Sequence, residues 1–199
     1  MIKRDPKEVE KLARDREAAN WRFRAFLKQA EIPSSRIDTA VHALAQEIAK
    51  EIDCTSCAAC CKEVSPHFGP TDIKRLASHM GLQPSEFIAM YLRKDSEEGL
   101  LLKSTPCPFL KDNKCSVYEC RPRDCRSFPH LHKRDFVFRL SQAVSNCSLC
   151  PIVFNVYEEL KREFWHSRHR DQEAEQKFRT YSVPAAGTST FKHVVGAKK

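Results

Sequence analysis

Four cysteines fall within eight residues in the run Cys54-Thr55-Ser56-Cys57-Ala58-Ala59-Cys60-Cys61. A free cysteine packs as a small hydrophobe, and no ordinary core or loop needs so many at one- and three-residue steps. A C-x2-C turn, by contrast, aims two sulfurs at one ion while backbone amides hydrogen-bond them. The block therefore limits the fold more than any other stretch, because the rest of the chain has to close around it. Cys60 and Cys61 are neighbours, and adjacent side chains diverge. The block is accordingly half of a composite centre, and its partners must come from elsewhere.

Six further cysteines supply them: Cys107, Cys115, Cys120, Cys125, Cys147 and Cys150. Cys147 and Cys150 repeat the C-x2-C spacing. Cys120 stands between Glu119 and Arg121 with no paired spacing, and reads as an ordinary packed thiol. The candidate metal ligands are Cys54, Cys57, Cys60, Cys61, Cys107, Cys115, Cys125, Cys147 and Cys150. Residues 1–24 are charged throughout and lack the apolar run of a signal peptide. No stretch of eighteen apolar residues occurs, so no transmembrane helix and no membrane partner are expected. The expected location is cytoplasmic, where thiols stay reduced and ten cysteines argue for metal or redox chemistry rather than disulfides.

Two metals fit these spacings. Four thiolates around a tetrahedral ion make a zinc site. The run Cys54-x2-Cys57-x2-Cys60 also matches the three-cysteine run of bacterial ferredoxins, which points to an iron–sulfur cluster of the 4Fe–4S type. The match is partial: the fourth cysteine followed by proline that completes such a run is missing, and Cys61 stands there instead. Both metals take thiolates, and spacing leaves zinc and iron–sulfur open. Metal also changes the reading of charge. The formal charge is +8. Two four-thiolate sites holding divalent ions would bring it to about +4. Part of the basic excess then balances metal–thiolate charge rather than attracting nucleic acid.

The remaining pattern predicts a mainly α fold: a small helical domain around an irregular cysteine-rich core, with one short β-hairpin. Residues 1–33 read as a charged helical arm with Leu12, Ala19, Phe23 and Phe26 as a thin apolar stripe. Residues 34–166 form the metal-binding domain, and 167–199 a flexible basic tail. Ser34 and Ser35 offer N-caps to a helix over 35–53, with Ile37, Val41, Leu44, Ile48 and Ile52 on one face. Thr71 is the expected cap of a helix that Gly81 stops. Further elements are a helix from Ser85, a brief strand over 100–103, a turn over 111–114 and a strand through Phe136, Phe138 and Leu140. Pro151 opens the last helix, 151–166, expected to pack on 35–53 with the metal at the junction.

Three stretches together resemble a known family. They are residues 54–61; Pro70-Thr71-Asp72-Ile73-Lys74-Arg75-Leu76-Ala77 with Leu82-x3-Glu86-Phe87; and Cys107-Pro108-Phe109-Leu110 with Cys115-x2-Tyr118-x2-Arg121-Pro122-x2-Cys125-Arg126-x-Phe128-Pro129. The chain resembles the CxxCxxCC cysteine-cluster family of YkgJ-like zinc- or iron-chelating proteins over residues 54–130. Cys147 or Cys150 answers to that family's late cysteine. The resemblance implies eight cysteines on one or two metal centres and a redox or metal-handling role. It also implies a distant similarity to flagellin lysine methylases, but no substrate site in this sequence receives that activity. The family often has glycine before the final cysteine pair, where Ala58-Ala59 stands here.

Other residues have plainer readings. Arg121, Arg123 and Arg126 are expected to support the fold, with Arg121 paired to Asp124 or Glu119. Tyr118 and Phe128 are expected to shield the metal. His130 and His132 are lesser candidates for ligation. The patch His166-Ser167-Arg168-His169-Arg170 suits a solvated helix end. A protein partner is expected before a nucleic acid, because aromatics interleaved with the basic residues are sparse. Gly-rich phosphate loops and the GxSxG and HExxH patterns are missing from the sequence.

Overall fold

In the computed structural model, residues 1–97 and 99–166 are described. The expectations for the tail, 167–199, and for 167–170 of the basic patch lie outside them. The described chain is mainly helical, with two short antiparallel hairpins. Among the described residues no helix is long and apolar enough to cross a membrane.

The first helices are α1 (Pro6–Asp15) and α2 (Glu17–Gln29). Asp5 caps α1 by accepting from the Glu8 N–H at 2.7 Å. Charge surrounds both helices, yet Val9, Ala13, Phe23 and Leu27 are buried in one core with α3 (Ser34–Lys50) and α10 (Pro151–Leu160). Phe23 meets Tyr157 edge-on at 5.3 Å between ring centroids. Ile37, Val41 and Ile48 stand four and seven residues apart along α3, one and two helical turns, and are all buried, which is why that face turns inward. The cap of α3 differs from expectation: Pro33 occupies it, and Ser34 already lies in the helix. The helix stops at Lys50, and Asp53 begins the next element.

A second, smaller core is separate from the first. It gathers Phe68, Ile73, Leu76, Ala77, Phe87, Leu92, Leu102, Phe109 and Val117. Six of these come from α6 (Pro70–His79), α7 (Pro84–Tyr91) and the hairpin of β1 (Leu92–Asp95) with β2 (Gly99–Leu102), while Phe68, Phe109 and Val117 come from connecting segments. Phe87 and Phe109 stack at 6.1 Å. Gly69 caps α6 and Pro70 takes its first position, so Thr71 is not the cap. Gly81, at φ +70, makes the left-handed stop. A second hairpin pairs β3 (Leu110–Lys111) with β4 (Lys114–Cys115). Its two turn residues, Asp112 and Asn113, both have positive φ. That is the turn whose twist matches a hairpin, and Asn and Asp tolerate it best.

The strand expected through Phe136, Phe138 and Leu140 is instead a 3₁₀ turn, Phe136–Arg139, leading into α9 (Leu140–Cys147). Burial follows the helical spacing and not the strand one: Phe136 and Leu140, four apart, are buried, and Phe138 between them is 79% exposed. The backbone is capped rather than paired. Asp38 reaches over from α3 and accepts from the Asp135 and Phe136 N–H groups at 2.8 and 2.9 Å. Two donors that a neighbouring strand would have needed are thereby taken.

Candidate metal centre

Two one-turn helices carry the cysteine block. Helix α4 (Cys54–Cys57) is capped by Asp53, whose carboxylate accepts from the Thr55 N–H at 2.9 Å and its hydroxyl at 2.7 Å. Those bonds hold the Asp53 carboxyl below its usual range. Ala58 then turns the chain in the left-handed region, φ 50 and ψ 12, and starts α5 (Ala59–Glu63). This kink breaks one helix into two, with Cys54 and Cys57 on the first and Cys60 and Cys61 on the second. Only glycine adopts that conformation freely.

The other cysteines arrive on separate elements. Cys107 and Cys115 flank the β3–β4 hairpin, Cys125 sits on α8 (Arg123–Ser127), and Cys150 caps the start of α10. Two hydrogen bonds join the hairpin to the block. The Cys107 N–H donates to the Cys61 carbonyl at 2.8 Å. Asn113 Nδ2 donates to the Ser56 carbonyl at 2.5 Å. Helix α8 is fixed by Asp72 of α6, which is buried and accepts from Gly69 N–H, Arg75 and Arg123 N–H at 3.3, 2.5 and 3.1 Å. Arg75 also donates to the Cys120 and Arg121 carbonyls. Sequence reasoning placed Asp72 only beside a helix start. Its clamp on the Cys125 segment was not anticipated, since no local pattern links residues 51 positions apart.

The result is one cavity of about 280 Å³ between the two cores. Cys54, Cys57, Cys60, Cys61, Cys107, Cys115, Cys125 and Cys150 all line it. Ile52 and Ile152 face it from the first core, and Phe68, Leu102, Phe109 and Val117 from the second. Cys147 is not on the cavity; it is buried in the first core at the end of α9. Cys120 packs against the second core, also away from the cavity. His130 is buried with its ring nitrogens engaged elsewhere, Nδ1 with Ser127 Oγ at 2.6 Å and Nε2 with Asp124 at 3.4 Å. His132 is exposed. Arg121 does not take the carboxylate partner expected of it. Its guanidinium lies over the Tyr118 ring at 3.6 Å and donates to the Tyr118 carbonyl. Tyr118, Arg121, Arg126 and Phe128 all border the cavity.

Crowding shapes the acidity of these thiols. Burial pushes Cys107 up to about 11 and Cys125 and Cys150 up to about 12. Cys54 and Cys115 are raised as well, again chiefly by burial. The Cys60 and Cys61 side chains are hydrogen-bonded to each other. The interaction holds Cys60 protonated and lowers Cys61 to about 7, with Lys62 assisting. Arg121 favours the thiolates of Cys54 and Cys115. Eight crowded thiols cannot all ionise beside one another without a compensating cation.

Among the described residues, no three Cys, His, Asp or Glu side chains already stand at ligand spacing around one point. The donor set is nonetheless that of a thiophilic metal: soft sulfur from four chain segments, on a largely apolar cavity. Residues 53–153 match the model of the CxxCxxCC family, described as a zinc- or iron-chelating domain. The chain belongs to the CxxCxxCC family. Membership and the ten cysteines give the protein a metal-binding role. The CxxCxxCC match spans the block, the hairpin, α8 and the first turn of α10, which are the elements that build the cavity. No solved structure matches the chain.

Proposed function

We propose that the chain holds iron–sulfur chemistry in this cavity, in a redox or metal-handling role. The observation that carries the reading is the thiol ring itself: eight cysteines on one cavity of about 280 Å³, none of them in a ready group of three. A tetrahedral zinc with bonds of about 2.3 Å needs its sulfurs roughly 3.8 Å apart. Four thiolates so placed leave no cavity between them. A cluster carries inorganic sulfide between its metals and spaces its cysteine sulfurs more widely. The run Cys54-x2-Cys57-x2-Cys60 supports the same choice. Phe68, Phe109 and Phe128 give the cavity apolar walls, and Arg121 brings positive charge near the sulfurs. Both are levers on a cluster's reduction potential.

Anaerobic purification tests the reading. The expected protein is coloured, contains iron with acid-labile sulfide, and bleaches on reduction. Cys57→Ser is expected to lose most of the iron while Cys147→Ser retains it. A colourless protein that holds only zinc, even after incubation with iron and sulfide, would falsify the iron–sulfur reading and leave a structural zinc module.

A further inference from the structure

Residues Ile2 to Arg4, the segment before α1, touch both chain segments that form the cavity's first-core wall. One is the exit of α3, where Glu51 and Ile52 lead into Asp53 and Cys54. The other is the start of α10, where Cys150, Pro151 and Ile152 stand. We infer that residues 2–4 are a strap that sets the spacing of these two segments, and that Asn155, which fastens the strap, is a positioning residue for the metal centre. The inference rests on the metal-binding reading above and adds residues that act on the centre without lining the cavity.

Residues 151–157 of α10 are all buried, and Asn155 is the one amide side chain among them. An amide is costly in such a place unless its hydrogen bonds are made. They are made with Lys3 and Pro151. Asn155 Oδ1 accepts from the Lys3 N–H at 2.9 Å, and Nδ2 donates to the Lys3 and Pro151 carbonyls at 2.7 Å each. The amide thus holds Lys3 by both its backbone groups and ties it to the first residue of α10. An aliphatic side chain offers neither bond, and a carboxylate loses the donor. On either side of Lys3 the strap is held again. Ile2 packs on the first core. Arg4 forms an ion pair with Glu51, one residue before Ile52 of the cavity wall. That pair is exposed and weak by itself, but it joins the strap to the segment that enters the cysteine block. Asp5 then caps α1. Lys3, Arg4, Glu51 and Asn155 all lie outside residues 53–153, so the strap is an addition to the matched domain. The second-core side of the cavity is fixed by Asp72 and by the hairpin's bonds to Cys61 and Ser56. The strap is the matching fixture on the first-core side.

The strap is tested on the full chain, stripped of metal and reduced. Iodoacetamide alkylation is followed cysteine by cysteine by mass spectrometry, and cobalt(II) is titrated through its thiolate charge-transfer absorption. Asn155→Ala is expected to quicken alkylation of Cys57 and Cys150, to leave Cys107 and Cys115 at the parent's rate, and to weaken cobalt binding about tenfold. Asn20→Ala is the control. Asn20 is also buried, and its Oδ1 accepts from Lys161 Nζ at 2.9 Å, farther along α10 from the cavity. Its loss should lower the urea midpoint while leaving cobalt affinity and the Cys57 and Cys150 rates at the parent's values. Arg4→Glu sets like charges against Glu51 at an exposed position, so the chain still folds. It is expected to weaken cobalt in the same direction as Asn155→Ala, and it decides the matter where Asn155→Ala does not fold. Parent-like cobalt affinity in both variants, or an equal loss of affinity in Asn20→Ala, overturns the strap while leaving metal binding intact. No cobalt uptake by the unsubstituted chain overturns metal binding itself.

Discussion

At the scale of single residues, two side chains shape the site without reaching the cavity's sulfurs. Asp72 is buried and accepts three hydrogen bonds, two of them from backbone N–H groups. Removing its carboxylate leaves Arg75 without its ion-pair partner and two donors unsatisfied. Asp72→Ala is therefore expected to cost about 2–4 kcal/mol of stability, measured by urea denaturation of the metal-free protein. Asp72→Asn keeps an acceptor oxygen and should cost less than half of that. Equal losses in the two variants would show that volume, not hydrogen bonding, matters there. Ala58 is the other such residue. Its left-handed backbone costs an L-residue about 1–2 kcal/mol. Ala58→Gly removes that strain but loosens the unfolded chain by about 0.4–1 kcal/mol and gives up a buried methyl worth about 0.8 kcal/mol. These effects nearly cancel, so Ala58→Gly is expected within about 0.5 kcal/mol of the parent. Ala58→Val keeps φ positive with a β-branched side chain and should lose about 2 kcal/mol or more. A neutral Ala58→Val would mean that the block does not need this kink.

At the scale of elements, the β3–β4 hairpin does two jobs that one residue combines. Asn113 supplies a positive φ for the turn and a side-chain bond to the Ser56 carbonyl of α4. Asn113→Gly keeps the first and deletes the second, and is expected to cost about 0.5–1 kcal/mol. It should also quicken alkylation of Cys54 and Cys57 in the metal-free protein. Asn113→Val breaks the turn as well and should cost at least twice as much. If Asn113→Gly changed neither stability nor alkylation, the tie between hairpin and α4 would contribute nothing. Such elements differ in how far the sequence reveals them. Helices α3, α6, α7 and α10 follow from apolar spacing with Pro or Gly at their ends, and the hairpin turn follows from Asp112-Asn113. The 3₁₀ turn at 136–139 does not, because its cause is Asp38, nearly a hundred residues earlier. Likewise spacing marks Cys147 and Cys150 as a pair, yet α9 ends by burying the first while α10 begins by presenting the second. Chemistry was legible from residue types; assignment to the cavity depended on packing between distant segments.

At the scale of the molecule, a set of cysteines on a seam between two small cores makes stability depend on pH, and the sign differs with and without metal. In the metal-free protein, Cys107, Cys125 and Cys150 have folded-state values near 11 to 12 against an ordinary thiol value of 9.0. A raised folded value means that the unfolded chain loses protons first. The stability these groups contribute is complete below pH 9 and is lost as pH rises toward 12. Cys61 has the opposite sign: its value near 7 lies below the ordinary one, so its contribution is complete above pH 9 and lost as pH falls through 7. The cysteine contribution to metal-free stability should thus peak near pH 9 and fall more steeply on the alkaline side, where all the thiols raised by burial act together. Urea midpoints from pH 6.5 to 10.5, in reductant, measure the curve. A Cys107→Ser, Cys125→Ser, Cys150→Ser triple variant should make the alkaline limb shallower, since the other raised thiols remain, and leave the limb below pH 9. Metal reverses the balance. Bound cysteines are thiolates in the folded state, so loading must expel the protons that burial keeps on them. Proton release per zinc ion bound, measured at fixed pH 7.5 in weak buffer, should then approach the number of ligating cysteines less the fraction of Cys61 already ionised. Release of fewer than two protons per zinc ion would be incompatible with a thiolate-only zinc site.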